Sequence, residues 1–398
     1  MRLPREAYPL ADAIATHLPH LSAGQRRGLA WWVYGAVLAG SACQAAVALA
    51  LLPVAGPGSA HAVRQRLREW LYAGTDKAAP CAAEVDPAAC FAPLLGWVLA
   101  WWRGGALALA LDATALRDRL VVVSVAVLYR GTAIPVAWHV APANRHAAWM
   151  GPALGLLARL APAVPAGLPV LVLADRGLWS PRLWDGLRRL GWHPLLRVRP
   201  DATFRPAGGR RGRAAALVPG AGHAWVGRGA AFKHKGVRRE ATLVVAREAG
   251  QGEPWPVLTD LAPEAVGPAW YGLRTRVEPG HRALKREGWH WERTRRTDPD
   301  RVARHWLVLA VATLWAAATG TREEDAERLG RDPARLRVAP PPARPGRRAT
   351  AVLARGAARL RWQLPRARRP WTLLRLCPEP WPEPPPGLRV VVAPSLHP

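Results

Sequence analysis

Hydrophobic and polar positions change period several times along the chain, and each change predicts an element. Residues 28–60 contain no charged side chain. They are rich in alanine and glycine, include Ser41, Gln44, Pro53, Pro57 and Ser59, and break over 53–58, so they predict two buried helices of a helical N-terminal region and not a membrane span. Residues 61–71 place Val63, Leu67 and Leu71 on one helical face and Arg64 and Arg68 on another. The period then shortens. Residues 106–111, 120–129, 132–140 and 168–174 are short apolar or β-branched runs bounded by turn residues, which predicts buried strands, the first three forming an antiparallel meander. A helical period runs from about His146 to Leu160 and is stopped by Pro162 and Pro165. Ser180 followed by Pro181 reads as an N-cap and first turn of a helix ending at Gly191, ahead of a strand over 194–198.

Residues 200–261 carry glycine-rich turns, a basic patch at Arg210, Arg211 and Arg213, and strand-like runs at 224–226, 241–246 and 256–258, which predicts a β-rich insertion. A long apolar helix is expected over 299–319. After Gly330 the composition shifts to a Pro/Arg linker at 340–348, a short basic helix at 349–364 and a proline-rich run at 378–386, which predicts a largely mobile tail. The resulting organisation is a helical region over 1–100, an α/β core over 101–200 and 262–330, the insertion over 201–261, and a basic tail over 331–398. No internal repeat is apparent.

Candidate chemistry sits on two of these elements and on one further segment, residues 271–285. Asp112 closes the apolar run 106–111, and Asp175 closes 168–174 ahead of Arg176 and Gly177. Tyr271, Arg274, Glu278 and Lys285 fall at i, i+3, i+7 and i+14, a spacing that shares one helical face. Such a face offers a carboxylate for a divalent cation, with cations and a hydroxyl to meet phosphate oxygens. Pro279–Gly280 kinks or ends a helix, so the shared face is expected only as far as Glu278; if the helix breaks there, Lys285 belongs to a second segment.

Lys+Arg outnumber Asp+Glu by 56 to 28, a net charge of +28, so a polyanion such as nucleic acid is the expected partner. An arginine-rich coding bias explains part of that charge but not the positions of the acids. Cys43, Cys81, Cys90 and Cys377 form no zinc-type pair, and free thiols are expected ahead of a Cys81–Cys90 disulfide because no cleavable signal peptide is evident.

The spacing Y-x2-R-x3-E-x6-K, with the two strand-end aspartates and the Asp175-Arg176-Gly177 step, resembles the signature of the IS4-type DDE transposases. The resemblance implies an RNase H-like core with β-β-β-α-β-α-β order, interrupted by a β-rich insertion before the glutamate helix. It further implies a metal site of Asp112, Asp175 and Glu278 holding two Mg2+ ions, with Mn2+ as a substitute. Tyr271, Arg274 and Lys285 would orient phosphates, and Arg64 and Arg68 would contact DNA from an end-binding helical region. The implied partners are double-stranded DNA, as terminal inverted repeats and target, and a second copy of the chain on that DNA. No membrane partner is implied, and the implied location is the bacterial cytoplasm, at the nucleoid. Relatives excise their element through a DNA hairpin with a flipped base stacked on an aromatic ring, for which Trp225, Trp255 and Trp289 are candidates among 21 tryptophans. Two other readings stand beside this one: a DNA-binding derivative that no longer cuts, and a membrane protein resting on residues 28–60 alone.

Overall fold

The computed structural model describes residues 3–55, 60–77, 83–143, 149–250, 252–336, 350–366 and 370–393. The N-terminal region is helical: α1 (Tyr8–His17), α2 (Ala23–Ala39), α3 (Gln44–Leu51), α4 (Ala60–Trp70) and α5 (Phe91–Trp101). α2 begins at a reciprocal cap, in which the Gln25 amide donates to Ser22 Oγ and the Ser22 amide donates to Gln25 Oε1, an arrangement that contributes about 1 kcal/mol. It ends at Gly40, whose left-handed backbone closes the helix. The uncharged stretch thus becomes two helices bent by 91°, with Trp31, Trp32, Val33 and Tyr34 buried.

A single sheet dominates the rest. Its first part is β1 (Leu107–Leu116), β2 (Leu120–Tyr129), β3 (Thr132–Pro142), α6 (Met150–Leu160), β4 (Val170–Ala174), α7 (Pro181–Arg189) and β5 (His193–Arg197). The start expected for α6 at His146 lies outside the described residues. Ser180 caps α7 as expected, its Oγ accepting from the Leu183 amide at 3.0 Å. The strands that follow are β6 (Thr203–Pro206), β7 (Gly212–Arg213), β8 (His223–Ala231), β9 (Arg239–Arg247) and β10 (Trp255–Thr259). The spatial order is β3-β2-β1-β4-β5-β10-β9-β8-β6-β7, with β1, β4 and β5 mutually parallel and β10 antiparallel to β5. The chain is therefore a mixed α/β protein with a large mixed sheet, in an order consistent with an RNase H-like core. The β-rich insertion extends this sheet through the β5–β10 pairing.

One face of the sheet, with Leu107, Leu109, Leu111, Val170 and Val172, joins the main core beneath the helices. The other, with Ala108, Ala110, Leu171 and Leu173, is covered by Tyr271, Leu273 and Val277. After the sheet come α8 (Val277–Arg282) and α9 (Pro299–Arg328). Asp298 caps α9 by accepting from the Arg301 amide at 2.8 Å. α9 is the one helix among the described residues long and apolar enough to cross a membrane, and 94% of its apolar window is buried inside the protein.

The expectation of a mobile tail fails where the C-terminal residues are described; the 340–348 linker lies outside them. α10 (Val352–Gln363) lies on α9 so closely that a Cβ at Gly320 would stand 1.8 Å from the Val352 carbonyl oxygen, and one at Gly356 1.7 Å from that of Ala316. Farther on, Arg130 Nε donates to the Cys377 carbonyl at 2.7 Å and its Nη1 meets Glu324 and Asp325 at 2.9 and 2.8 Å. β11 (Arg389–Val392) then adds a parallel strand to β8. Apolar contact and satisfied buried charge fix this region despite its proline and arginine content. Cys43, Cys90 and Cys377 are free thiols, and Cys81 lies outside the described residues.

Candidate active site

Strand register brings the two aspartates together. The parallel β1–β4 pairing ends at Leu111 opposite Ala174, so the next residue on each strand is an aspartate, roughly one inter-strand spacing (~4.8 Å) from the other. Side chains alternate across a strand, so Asp112 follows Ala108 and Ala110, and Asp175 follows Leu171 and Leu173, onto the face covered by residues 270–287. β1 itself continues to Leu116, with Asp112 opposite Ser124 of β2, so Asp112 is within a strand and not at its end as expected. What ends there is the pairing with β4.

The segment bearing Tyr271, Arg274, Glu278 and Lys285 is not one regular helix. It runs as a 3-10 turn (Trp270–Arg276), then α8, then a π turn (Ala283–Glu287). The expected break after Glu278 is corrected: the α-helix begins at Val277, so Pro279 falls in its first turn, where a missing N–H costs nothing. Gly280 then lets α8 lie on β3, because a Cβ there would come within 2.7 Å of Ala133 Cβ and 2.9 Å of its amide nitrogen. Lys285 consequently stays with Glu278 and Arg274 on one cavity.

That cavity, about 590 Å3, is lined by Asp112, Arg197, Trp255, Tyr271, Arg274, Glu278, His281 and Lys285 among others. Arg274 Nη2 is 2.8 Å from Asp112 Oδ1 and 3.8 Å from Asp175 Oδ2, so one guanidinium bridges the two carboxylates. Asp175 Oδ1 also accepts from the Arg176 amide at 2.8 Å and lies 3.9 Å from Arg197 Nη1. The Tyr271 hydroxyl donates to the Ala174 carbonyl at 3.2 Å, bracing the residue before Asp175, while its ring meets Trp255 edge-on at 5.9 Å. Burial pushes the Tyr271 hydroxyl well above its ordinary pKa, so it is a neutral donor. Burial likewise lowers the Lys285 ammonium, with Glu292 opposing the shift. Glu278 is exposed on the same cavity.

Two residues of the site were not anticipated. His281 Nδ1 stands 3.5 Å from Asp112 Oδ2, and burial, more than any neighbouring charge, lowers its pKa. Its signal in the sequence is its position one turn after Glu278. Arg197, stacked 5.0 Å over the Trp255 ring, is a cation at the end of β5, directly after the apolar Pro194, Leu195 and Leu196. Of the three tryptophan candidates, Trp225 and Trp289 are core residues and Trp255 lines the cavity. Arg64 and Arg68 are exposed on α4, and neither lines it; Arg68 Nε meets the Tyr72 hydroxyl.

The donor set has the hard-oxygen chemistry a divalent cation requires, and the bridging guanidinium marks a point both aspartates reach. Among the described residues, however, no three His, Cys, Asp or Glu side chains are grouped closely enough to hold a metal ion. Glu278 lines the same cavity without joining the two aspartates in such a group, and the positive charge between those two acids belongs to Arg274.

No curated protein matches the chain. A family model described as Transposase DDE domain matches residues 107–315, from the first residue of β1 into α9, and so spans Asp112, Asp175 and Glu278. With just over half of its length inside that match, the chain belongs to the Transposase DDE domain family.

Proposed function

We propose that the protein is an IS4-type DNA transposase that cuts phosphodiester bonds at the ends of an insertion sequence and joins them to a target. The observation that carries this reading is the convergence of Asp112 and Asp175 on Arg274, which lines one cavity with Asp112, Glu278 and Lys285. The family's chemistry depends on divalent metal ions. Asp112, Asp175 and Glu278 would hold them, Mg2+ or Mn2+, and the bound ions would supply Lewis acidity at phosphorus and a deprotonated water or 3′-hydroxyl.

The chain's own residues do the rest. Arg274, drawn off the aspartates by an incoming phosphate, pairs with its oxygens through two N–H donors. Lys285 brings a second positive charge to the same group from the π turn. Tyr271 fixes the level of Asp175 through the Ala174 carbonyl. Trp255, half-buried between Tyr271 and Arg197 and lining the cavity, is the aromatic surface for an unstacked base. Arg64 and Arg68 contact duplex DNA from the N-terminal helices, and two copies of the chain act together because two element ends are joined. This reading places the protein at the nucleoid.

The test is incubation of the purified chain with Mg2+ or Mn2+ and a duplex carrying the inverted repeats that bracket its coding region. Metal-dependent cleavage by the wild type and none by Asp112→Ala is the expected result. Absence of cleavage by the wild type, with the variant binding DNA identically, would favour the second reading, a DNA-binding derivative whose Arg274–aspartate bridge is permanent.

A further inference from the structure

Arginine supplies 52 of the 56 cationic residues, so a lysine is a departure from the chain's habit. Two of the four lysines, Lys233 and Lys235, stand two apart in the turn between β8 and β9, and a third, Lys285, lines the cavity. The turn also belongs to a stretch with no acid at all. Between Asp201 and Glu240 there are 38 residues, nine of them Lys or Arg and none Asp or Glu. A coding bias toward arginine accounts for neither the lysines nor the missing acids.

The turn is held in place. Lys233, Lys235 and Arg238 are exposed, while their neighbours are tied down. Phe232 has φ of 69°, a left-handed conformation that costs a bulky residue on the order of 1 kcal/mol. It is kept there by a 2.6 Å hydrogen bond from its amide to the Thr203 carbonyl and by stacking on Trp179, with centroids 4.9 Å apart and planes at 23°. Arg239 forks onto Asp185 of α7 at 3.0 and 2.7 Å, and Arg238 Nη2 donates to the Lys233 carbonyl at 3.0 Å. Trp179 lies four residues past Asp175, so the loop leaving the aspartate and the basic turn are joined by an aromatic stack.

We propose that the β8–β9 turn is a phosphate-backbone clamp, in which Lys233, Lys235 and Arg238 grip the flank of a DNA duplex running away from the aspartate pair. Lysine suits this position: a compact charge on a flexible stem follows a phosphate at varied angles without demanding one base sequence. The direction in which the duplex runs rests on the proposed function; the contact itself does not.

The test uses the full chain without metal and a fluorescent mixed-sequence duplex about 30 base pairs long, titrated over a salt series. Each lost phosphate contact flattens the slope of log K against log salt by about 0.9. The Lys233→Ala/Lys235→Ala variant is expected to flatten it by about 1.8. Lys233→Arg/Lys235→Arg is expected to restore it, and Arg5→Ala/Arg331→Ala, which removes the same charge at other exposed sites, to leave it at the wild-type value. A lysine variant with the wild-type slope, or an equal loss in the control, overturns the clamp. Cleavage by the wild type beside an unchanged slope in the variant sinks the clamp alone; a flattened slope in a chain that never cleaves sinks the proposed activity alone.

Discussion

Arg274 holds Asp112 at 2.8 Å and reaches Asp175 at 3.8 Å, so a single guanidinium occupies the ground between the two acids that strand register brings together. A cation that enters that ground must displace it. Arg274→Ala is therefore expected to strengthen metal binding and weaken catalysis at once. The rise in melting temperature on adding Mn2+ should be larger in the variant than in the wild type. Cleavage should fall by about 10²–10³-fold, the usual cost of deleting one charge-stabilising donor. A smaller Mn2+ shift in the variant would show that Arg274 assists the cation instead of competing with it.

Gly280 sets how closely α8, and Glu278 with it, lies on β3. Gly280→Ala puts a methyl within 2.7 Å of Ala133 Cβ and should cost about 1–3 kcal/mol in denaturant unfolding, with a loss of cleavage from the displaced glutamate. Ala133→Gly in the same chain removes half of the clash and should recover part of both. Gly280→Ala at wild-type stability and activity would mean that this approach does not position the glutamate.

Trp255 offers a ring held between Arg197 and Tyr271. If an unstacked base rests on it, Trp255→Ala should lose about 1–3 kcal/mol of that contact, read as a roughly 5–150-fold slower excision step, with Trp255→Phe largely restored. Equal excision rates for Trp255→Ala and the wild type would remove the ring from the reaction.

His305 is wholly buried in α9 against Trp32, and burial first, then the Arg296 guanidinium, drive its pKa well below 6.5, with a backbone contact at Ala42 opposing them. The folded chain thus keeps the ring neutral while the unfolded chain takes up a proton below about pH 6.5. Stability from this group is fully present above that pH and falls as pH drops, by at most about 1.4 kcal/mol per unit. Denaturant unfolding between roughly pH 5 and 7 should show that slope, flattened in His305→Phe. An equal slope in both would assign the loss to other groups.

Much of the fold was legible because it rests on local signals. The strand and helix order from residue 106 to 198, the Ser180 cap and the apolar helix after Asp298 follow from period, turn residues and caps. The place of Pro279 was misread because proline ends a helix it follows but is tolerated in the first turn of one it starts, and the start at Val277 has no local mark. The C-terminal region was misjudged for a different reason. Its anchors, Gly356 on α9 and Cys377 on Arg130, join residues far apart in sequence, where composition alone reads as a linker. At the site, the aspartates, Arg274 and Glu278 were readable from spacing. His281 had only its place one turn after Glu278 to mark it, and Arg197 joins them through tertiary placement alone. The bridging of Asp112 to Asp175 by Arg274 has no signal in the sequence.

The Asp112 carboxylate is needed for chemistry and not for folding or DNA contact. Asp112→Asn keeps the shape and removes the charge, so it is to be compared with the wild type for strand cleavage in Mg2+ on a duplex bearing the bracketing repeats, alongside duplex affinity without metal. Cleavage reduced beyond detection, with affinity within about twofold of the wild type, is the expected result. Cleavage by Asp112→Asn at the wild-type rate would show that the carboxylate takes no part in the reaction.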